Sequence, residues 1–534
     1  MFVYNEQQEH ASKSIIQFLE SNDKFFLLEG DPGTGKTTII SKILDNEIYK
    51  KKKIAFCATT NKAVTILEQY SSLKGKNIVY TTIQKLLNIK RNIDEMGREL
   101  YTYNSQQNLC NKYNIKHFHI VLIDESSMIC KDMLEGIVQN SRYSKTKIIF
   151  IGDRNQLPPV NEKISNVFTI DFGINKVKLD IIERFKNDIL KYTNSIKNNK
   201  RPPKELCKDN IRFMKEYKNW ISNYMKNINE SIILTYTNKK KRFINNSIRS
   251  LLFKDNKEKY NVSEKIIFNN YYSSIENKFY SSQHATITEI KVHEFRFNPL
   301  PLNKLLNLKA SFGYNIRTLK EKDKTCPICL EDNINEQSQL KCDHMYCDSC
   351  IKQWLKENNC CPLCRFVVDE NTFMVKDNTK ITSLINEIIE FVSDITFKTW
   401  KIGIIAKKKN EDNQLETFHD YIYIMSDESK DDYELLCSSI KQKFSEIKKL
   451  ISNKNKYNNI ILKRLWEFFY SNYIDVLADI DYGYCITVHK SQGSTYKRVY
   501  VNIMDIVKNN TNDTKSCVYT AVTRASDCLI VLKT

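Results

Sequence analysis

The stretch LLEGDPGTGKTT (27–38) carries the G-x-x-x-x-G-K-T spacing of a phosphate cradle. Gly30, Gly33 and Gly35 let backbone N–H groups curl around phosphate oxygens, with Thr34 and Thr38 in the same cradle. The helix that opens at Lys36 turns its positive end on the same point. The Lys36 ammonium is placed to reach the β- and γ-phosphates, and the Thr37 hydroxyl to ligate Mg2+. Further on, HIVLIDESS (119–127) is an apolar run ending in two carboxylates. Asp124 fits an outer Mg2+ partner, and Glu125 a base that orients and deprotonates an attacking water. A third run, KIIFIGD (147–153), leads into RNQLPPV, where Gln156 can report on a γ-phosphate and two prolines stiffen the exit.

A second chemistry lies far downstream. Cys326, Cys329, Cys342, His344, Cys347, Cys350, Cys361 and Cys364 fall into four close pairs. Two ligands on one turn can clasp a tetrahedral ion, so four pairs make two closed structural zinc sites. Sequential and interleaved pairing both satisfy the spacing, and Cys360 is an unassigned neighbour. A segment this short needs the metal for much of its folding energy. A disulfide cluster would require secretion, which nothing in the sequence suggests.

These side chains need elements to hold them. KFFLLEG (24–30) reads as a short buried strand, and IISKILDNEI as the helix after the cradle. A carboxylate at the C-terminal end of a parallel strand sits where ligands bind in open α/β sheets. Residues 262–272, 284–297, 397–409 and 420–426 read as strands, taken as two sides of one small β-barrel. Residues 430–470 have helical spacing around the polar turn NKNKYNN and predict a helical hairpin whose aromatics serve packing. No internal repeat is evident.

A chain of 534 residues with 41% hydrophobic content predicts three or four domains. The N-terminus lacks a signal-peptide pattern, and no run of about 18 apolar residues exists, so a soluble intracellular protein is expected. The net charge of +19 suggests a polyanionic partner, although heavy Lys, Asn and Ile usage throughout raises Lys by itself. Of 16 Cys, the eight within 326–364 need their own explanation and the others read as reduced thiols.

Together the phosphate-handling stretches resemble superfamily 1B helicases, the branch containing RecD and Dda. The resemblance continues through YNEQQ with Gln8 as an adenine reader, AFCATTNKAV (55–64) and TTIQKLL (81–87), where Gln84 replaces a frequent His. It extends to LDIIERFK (179–186), ILTYTNKKKRFINNSIR (233–249), ITVHKSQGSTY (486–496) and YTAVTRAS (519–526). The resemblance implies an α/β fold: two RecA-like parallel-sheet motor domains with an inserted small β-barrel carrying a RING zinc finger. Expected boundaries are 1–165 for the first motor domain and 166–260 plus 471–534 for the second. The accessory domain would take 261–320 plus 371–470, and the finger 321–370. ATP would lie between the motor domains, with Arg184 and Arg524 as arginine fingers. Single-stranded DNA would be gripped by Thr59, Thr60, Lys62 and Thr82 from one side and by Thr487, His489, Lys490 and Ser491 from the other. The implied direction is 5′→3′.

The metal segment resembles a RING finger. That resemblance implies interleaved pairing: Cys326, Cys329, Cys347 and Cys350 for one zinc, and Cys342, His344, Cys361 and Cys364 for the other. It further implies docking of a ubiquitin-conjugating enzyme on Ile328, Trp354 and Pro362, with Arg365 touching ubiquitin. A protein acting in the nucleus or cytoplasm of a eukaryotic host, or encoded by its virus, follows by association. The reading from another class is a RING-type ubiquitin ligase that uses a helicase-like body as a nucleic-acid-targeting platform; the completeness of the motor motifs argues against it.

Overall fold

The computed structural model describes residues 4–70, 77–93, 99–103, 114–169, 171, 175–182, 188–198, 210–254, 258–296, 326–329, 337–339, 344–358, 360–365, 387–388, 396–409, 415–450, 456–508 and 513–533. Arg184 and Cys342 lie outside them.

The strands that end in the phosphate loop and in Asp124 belong to one six-stranded sheet. Its order is Ile78–Thr82, Ile54–Ala58, Ile120–Ile123, Lys147–Gly152, Phe25–Gly30, Asn175–Leu179. All pairings are parallel. Parallel sheets are covered on both faces, so their strands are apolar without alternation. Phe25–Gly30 and Ile54–Ala58 are buried at every position, as that rule requires. Truncating a fully buried ring such as Phe56 should cost about 3–5 kcal/mol. Asn175–Leu179 lies beyond the expected boundary at 165 yet pairs with Phe25–Gly30, so this lobe continues past that boundary.

A second parallel sheet of five strands has the order Cys485–Thr487, Ser231–Thr235, Tyr496–Asn502, Ala525–Leu532, Ile211–Met214. Its two ends in sequence flank everything between 236 and 484. The intervening strands Lys265–Phe268, His284–Arg296, Thr396–Lys409 and Leu415–Met425 form an antiparallel sheet, joined by Ile480–Tyr482 on Lys265–Phe268. The four expected strand regions therefore share one sheet. The expected barrel is corrected: among the described residues the sheet is open, with Leu415–Met425 and Ile480–Tyr482 at its two edges. Ile480–Tyr482 also moves out of the region assigned to the second motor domain.

The finger enters this sheet at one point. Arg296 and Thr396 are paired residues on adjacent antiparallel strands, and Arg296 Nε donates to Thr396 Oγ1 at 3.0 Å. All residues between them, finger included, leave and return through the end of a two-stranded stalk. Insertions at such a place disturb little, because the ends are already held together and loop-closure entropy grows slowly with length.

The helices Lys430–Leu450 and Lys456–Phe469 form the expected hairpin. Phe444, Trp466 and Phe469 are buried and meet edge-on, with centroids 4.9 to 6.2 Å apart, so these aromatics serve packing. No helix among the described residues is long and apolar enough to cross a membrane.

Candidate functional site

The phosphate loop owes its shape to two glycines with positive φ, Gly33 (84°) and Gly35 (86°). A Cβ on Gly35 would approach Gln8 Nε2 to 2.8 Å. Gln8 is itself fixed: Asn5 and Gln8 form a capping box on the helix Glu6–Glu20, and Gln8 Nε2 donates to the Thr34 carbonyl at 3.1 Å. Thr34 is fully buried, donating its hydroxyl to Asp31 O at 2.9 Å, so it shapes the loop from within. Gly30 ends its strand close to Thr34 and Leu179, where a Cβ would crowd both.

Beside this loop is a cavity of about 420 Å³. The first lobe contributes Gln8, Gly33, Gly35, Lys36, Thr37, Thr38, Asp124, Glu125, Asp153 and Gln156 to its wall. The second lobe contributes Gly493, Thr495, Thr523 and Arg524. Gly493 (φ 69°) lies against the first lobe, where an added Cβ would come within 3.2 Å of Ala63 Cβ. Sequence-predicted residues separated by nearly the whole chain thus face one space.

The cations of the cavity have neutral partners. Lys36 Nζ donates to Gly30 O at 2.7 Å and Asp31 O at 2.9 Å. Arg524 is 4% exposed and donates to Thr520 O, Ser494 O and Gln156 Oε1 at 3.1, 3.2 and 3.2 Å. Burial pulls its pKa down. Among the described residues, neither cation has a carboxylate within ion-pair distance. Their direct partners are neutral oxygens, and the carboxylates of Asp124, Glu125 and Asp153 act on them only through space, so an anion joining them is favoured.

The carboxylates show the opposite strain. Burial, then the charge of Glu125, pushes Asp124 up to about 7, against the pull of Lys36. Burial pushes Asp153 up to about 6 although Tyr519 Oη donates to it at 2.8 Å. A divalent cation beside Asp124 would relieve that penalty, and Thr37 lines the same cavity, so these residues fit Mg2+. Glu125 has φ 52° and ψ 41°, an uncommon left-handed conformation for a residue with a side chain. Strain of this kind gathers at functional sites. Asp153 and Tyr519 were not singled out from sequence, although Asp153 ends the strand-like run KIIFIGD just as Asp124 follows its own.

The candidate strand-gripping residues lie at the ends of parallel strands. Thr60 Oγ1 accepts from Ala63 N at 3.2 Å, and Thr82 Oγ1 accepts from Lys85 N at 3.3 Å. In the second lobe Thr487 Oγ1 accepts from Lys490 N at 3.4 Å, and Thr237 Oγ1 accepts from Lys240 N at 3.2 Å. Ile54–Ala58 and Ile78–Thr82 are neighbours, as are Ser231–Thr235 and Cys485–Thr487. Each lobe thus presents two threonine-capped helix starts side by side. Thr82, Thr487 and Ser491 are buried, and Ser491 Oγ donates to Val488 O at 2.7 Å, so their hydroxyls organise backbone. Thr59 Oγ1 contacts Met128 Sδ at 3.4 Å, and Gln84 Nε2 holds the Thr59 carbonyl at 3.2 Å. Lys62 Nζ reaches Ser282 O at 3.2 Å and Lys490 Nζ bonds Asn269 Oδ1, while His489 is exposed beside Tyr236. Thr237 was missed, since the short match of TNK after an apolar strand at 60–62 and 237–239 gains meaning only once both strands are placed in their sheets. TIQK (82–85) and TVHK (487–490) likewise share a capping Thr and a Lys three residues later.

In the finger, Cys326, Cys329, Cys347 and Cys350 bring their sulfurs within 4.8 Å of one another, as do the ligand atoms of His344, Cys361 and Cys364. This is the interleaved grouping. Cys329 and Cys347 sulfurs are 3.5 Å apart, and Cys361 Sγ is 3.6 Å from His344 Nδ1. Tetrahedral zinc with bonds of about 2.3 Å to sulfur sets ligands near such separations, whereas a disulfide requires about 2.05 Å. Cys326, Tyr346, Ile351 and Cys361 make a small buried core. The helix Asp348–Glu357 carries Trp354, 37% exposed, whose indole donates to Cys360 O at 2.9 Å. Ile328 and Pro362 are half-buried, and Leu363 and Arg365 are exposed.

Comparison with known proteins agrees with both halves. A family model for an AAA domain matches residues 3–216, one for a UvrD-like helicase C-terminal domain matches 482–532, and one for a Ring finger domain matches 324–365. A protein of Acanthamoeba polyphaga mimivirus is 27% identical over 99% of this chain and 99% of its own length. The RecBCD enzyme subunit RecD of Buchnera aphidicola (subsp. Schizaphis graminum) is 31% identical over 39% of this chain and 36% of its own. The E3 ubiquitin-protein ligase RNFT1 of Danio rerio is 39% identical over 11% of this chain and 14% of its own. The chain thus spans little more than a third of RecD and a seventh of that ligase. On its motifs, its two parallel-sheet lobes and these family matches, the chain is similar to the superfamily 1B helicases and carries an inserted segment that matches the Ring finger family.

Proposed function

We propose that this protein hydrolyses ATP to move 5′→3′ along single-stranded DNA and unwind duplex, and that its finger recruits a ubiquitin-conjugating enzyme. One observation carries the motor reading: Lys36 and Arg524, from opposite lobes, face one cavity with only neutral oxygens as partners. A triphosphate is the ligand such a pair lacks. Lys36 exchanges the carbonyls of Gly30 and Asp31 for phosphate oxygens as the cradle of Gly33, Gly35, Thr37 and Thr38 closes on them. Thr37 and Asp124 would hold Mg2+, which would supply charge neutralisation at the phosphates. Glu125 orients water and accepts its proton. Arg524, with Arg184, stabilises charge that develops on the transferred group, and Gln156 ties Arg524 to the first lobe.

Alternate grip converts cleft closure into travel. Backbone N–H groups at the helix starts of Thr60, Thr82, Thr237 and Thr487, with Thr59, Lys62, His489, Lys490 and the buried brace Ser491, suit phosphate contacts that read no sequence. Domain limits follow the sheets, with the accessory unit running from Lys265–Phe268 to Ile480–Tyr482 around the finger. The exposed Trp354 edge with Ile328, Pro362 and Arg365 suits an apolar docking face. The viral relative and the finger's similarity to ubiquitin ligases support action in the nucleus or cytoplasm of a eukaryotic host. The test is unwinding of 5′- and 3′-tailed DNA and RNA duplexes with ATP. Unwinding of the 5′-tailed DNA alone is expected, and no strand separation or DNA-dependent hydrolysis on any substrate would overturn the reading.

A further inference from the structure

One ion pair crosses between the lobes at the phosphate loop. The helix Asp188–Lys197 belongs to the second lobe, because Ile189 and Tyr192 are buried in the same core as Ile211, Val499 and Val518. Tyr192 also meets Phe213 edge-on at 5.6 Å. Its last residue, Lys197, reaches back to the first lobe. Lys197 Nζ lies 3.0 and 2.8 Å from the two carboxylate oxygens of Asp31, and 3.5 Å from Asp180. The side chains of Asp31 and Lys197 are 5% and 19% exposed, so the pair is shielded from solvent. Asp31 is also the residue whose carbonyl holds Lys36 Nζ and the Thr34 hydroxyl.

We propose that Lys197 is a positioning residue for nucleotide turnover, holding Asp31, and through it the phosphate loop, in register with the second lobe. The reading rests on the proposed ATP hydrolysis. Its physical basis is leverage. A shielded, two-oxygen ion pair resists separation far more than an exposed one, and removing one partner strands the other. When Lys36 leaves the Asp31 carbonyl for a phosphate, the Asp31 carboxylate still anchors the loop to a helix of the opposite lobe. Cleft closure and loop shape are then one event, so loss of Lys197 slows turnover without removing any group that touches nucleotide.

The experiment compares full-length wild type, Lys197→Met, Lys197→Arg, Asp31→Asn and the Lys197→Met/Asp31→Asn double variant by two readouts. Hydrogen exchange of the 30–38 backbone in nucleotide-free protein reports loop positioning without reference to activity. Steady-state ATP hydrolysis with oligo-dT reports coupling. Lys197→Met should speed loop exchange at least five-fold and lower kcat about ten-fold while the KM for ATP changes less than three-fold. Lys197→Arg should restore most of both, and the double variant should be no worse than the poorer single. Unchanged exchange in Lys197→Met, or additive losses in the double variant, would overturn the proposal while wild-type hydrolysis leaves the motor reading standing. Absence of wild-type hydrolysis would overturn the motor reading, and this proposal with it.

Discussion

Arg524 and Gln156 join the two lobes at the nucleotide-sized cavity: Nη2 of Arg524 donates to Oε1 of Gln156 at 3.2 Å. The contact is reinforced on both sides. Leu157 N donates to Thr520 Oγ1 at 3.1 Å, and Gln492 Nε2 donates to Leu157 O at 3.1 Å. The loop after the strand Lys147–Gly152 is therefore held by three different residues of the second lobe. A group that changes charge at this cavity is read by both lobes together.

The raised carboxyl groups give a pH signature. Asp124 and Asp153 titrate near 7 and 6 in the folded chain, above the usual value of about 3.9. Between those limits the folded state binds more protons than the unfolded one, so their contribution to stability is present at low pH and lost as pH rises through 6 to 7. The Tm difference between Asp124→Asn and wild type should therefore grow in favour of the variant from pH 5 to pH 7.5. Added Mg2+ should stabilise wild type more than the variant at pH 7.5. A pH-independent difference would contradict the assignment.

Zinc content is a separate prediction. Elemental analysis of the full chain should find two zinc ions, and Cys326→Ser should remove about one. Zinc-selective chelation, with Mg2+ kept in excess, should open the finger while leaving ATP turnover within about two-fold, since the inserted segment leaves and returns to the sheet at the paired residues Arg296 and Thr396. Zero zinc in protein purified without chelator would remove the finger assignment.

Ubiquitin transfer tests the finger's outer face. With a cognate conjugating enzyme, Ile328→Ala and Trp354→Ala should each cut chain formation about ten-fold or more, a common size for an anchor residue. Zinc content should be unchanged. Equal chain yield from both variants would show that this face does not dock the enzyme.

The repeated threonine caps predict symmetric loss. Thr60→Val and Thr237→Val should each destabilise by about 1 kcal/mol through the lost cap and weaken binding to oligo-dT several-fold. Fluorescence anisotropy at two salt concentrations is the measurement. Weakening by Thr60→Val alone would mean that the second lobe does not grip at Thr237.

Much of this site was legible because its chemistry is local in sequence. The cradle at 30–38, the acidic strand ends and the cysteine pairs each declare themselves within a dozen residues. What escaped was set by pairing between distant segments. Asn175–Leu179 is a modest strand by pattern, yet it completes the first sheet because the edge at Phe25–Gly30 is open to it. Barrel closure was expected from four strand-like runs, but closure depends on edge pairing, which alternation does not encode. Thr237 became visible only when its strand proved to occupy the place in the second sheet that Ile54–Ala58 occupies in the first. Lys197 has no motif, since its meaning comes wholly from meeting Asp31 across the cleft.

In the proposed mechanism, nucleotide is hydrolysed between the lobes with cations supplied by each. Steady-state ATP hydrolysis with and without oligo-dT, for wild type, Lys36→Ala and Arg524→Lys, tests it most directly. DNA should stimulate wild type at least ten-fold, and each variant should lose about 10²-fold or more in kcat, because neither replacement restores the lost charge geometry. Hydrolysis by Arg524→Lys at the wild-type rate would show that the Arg524 guanidinium takes no part in the reaction and would overturn its assigned role.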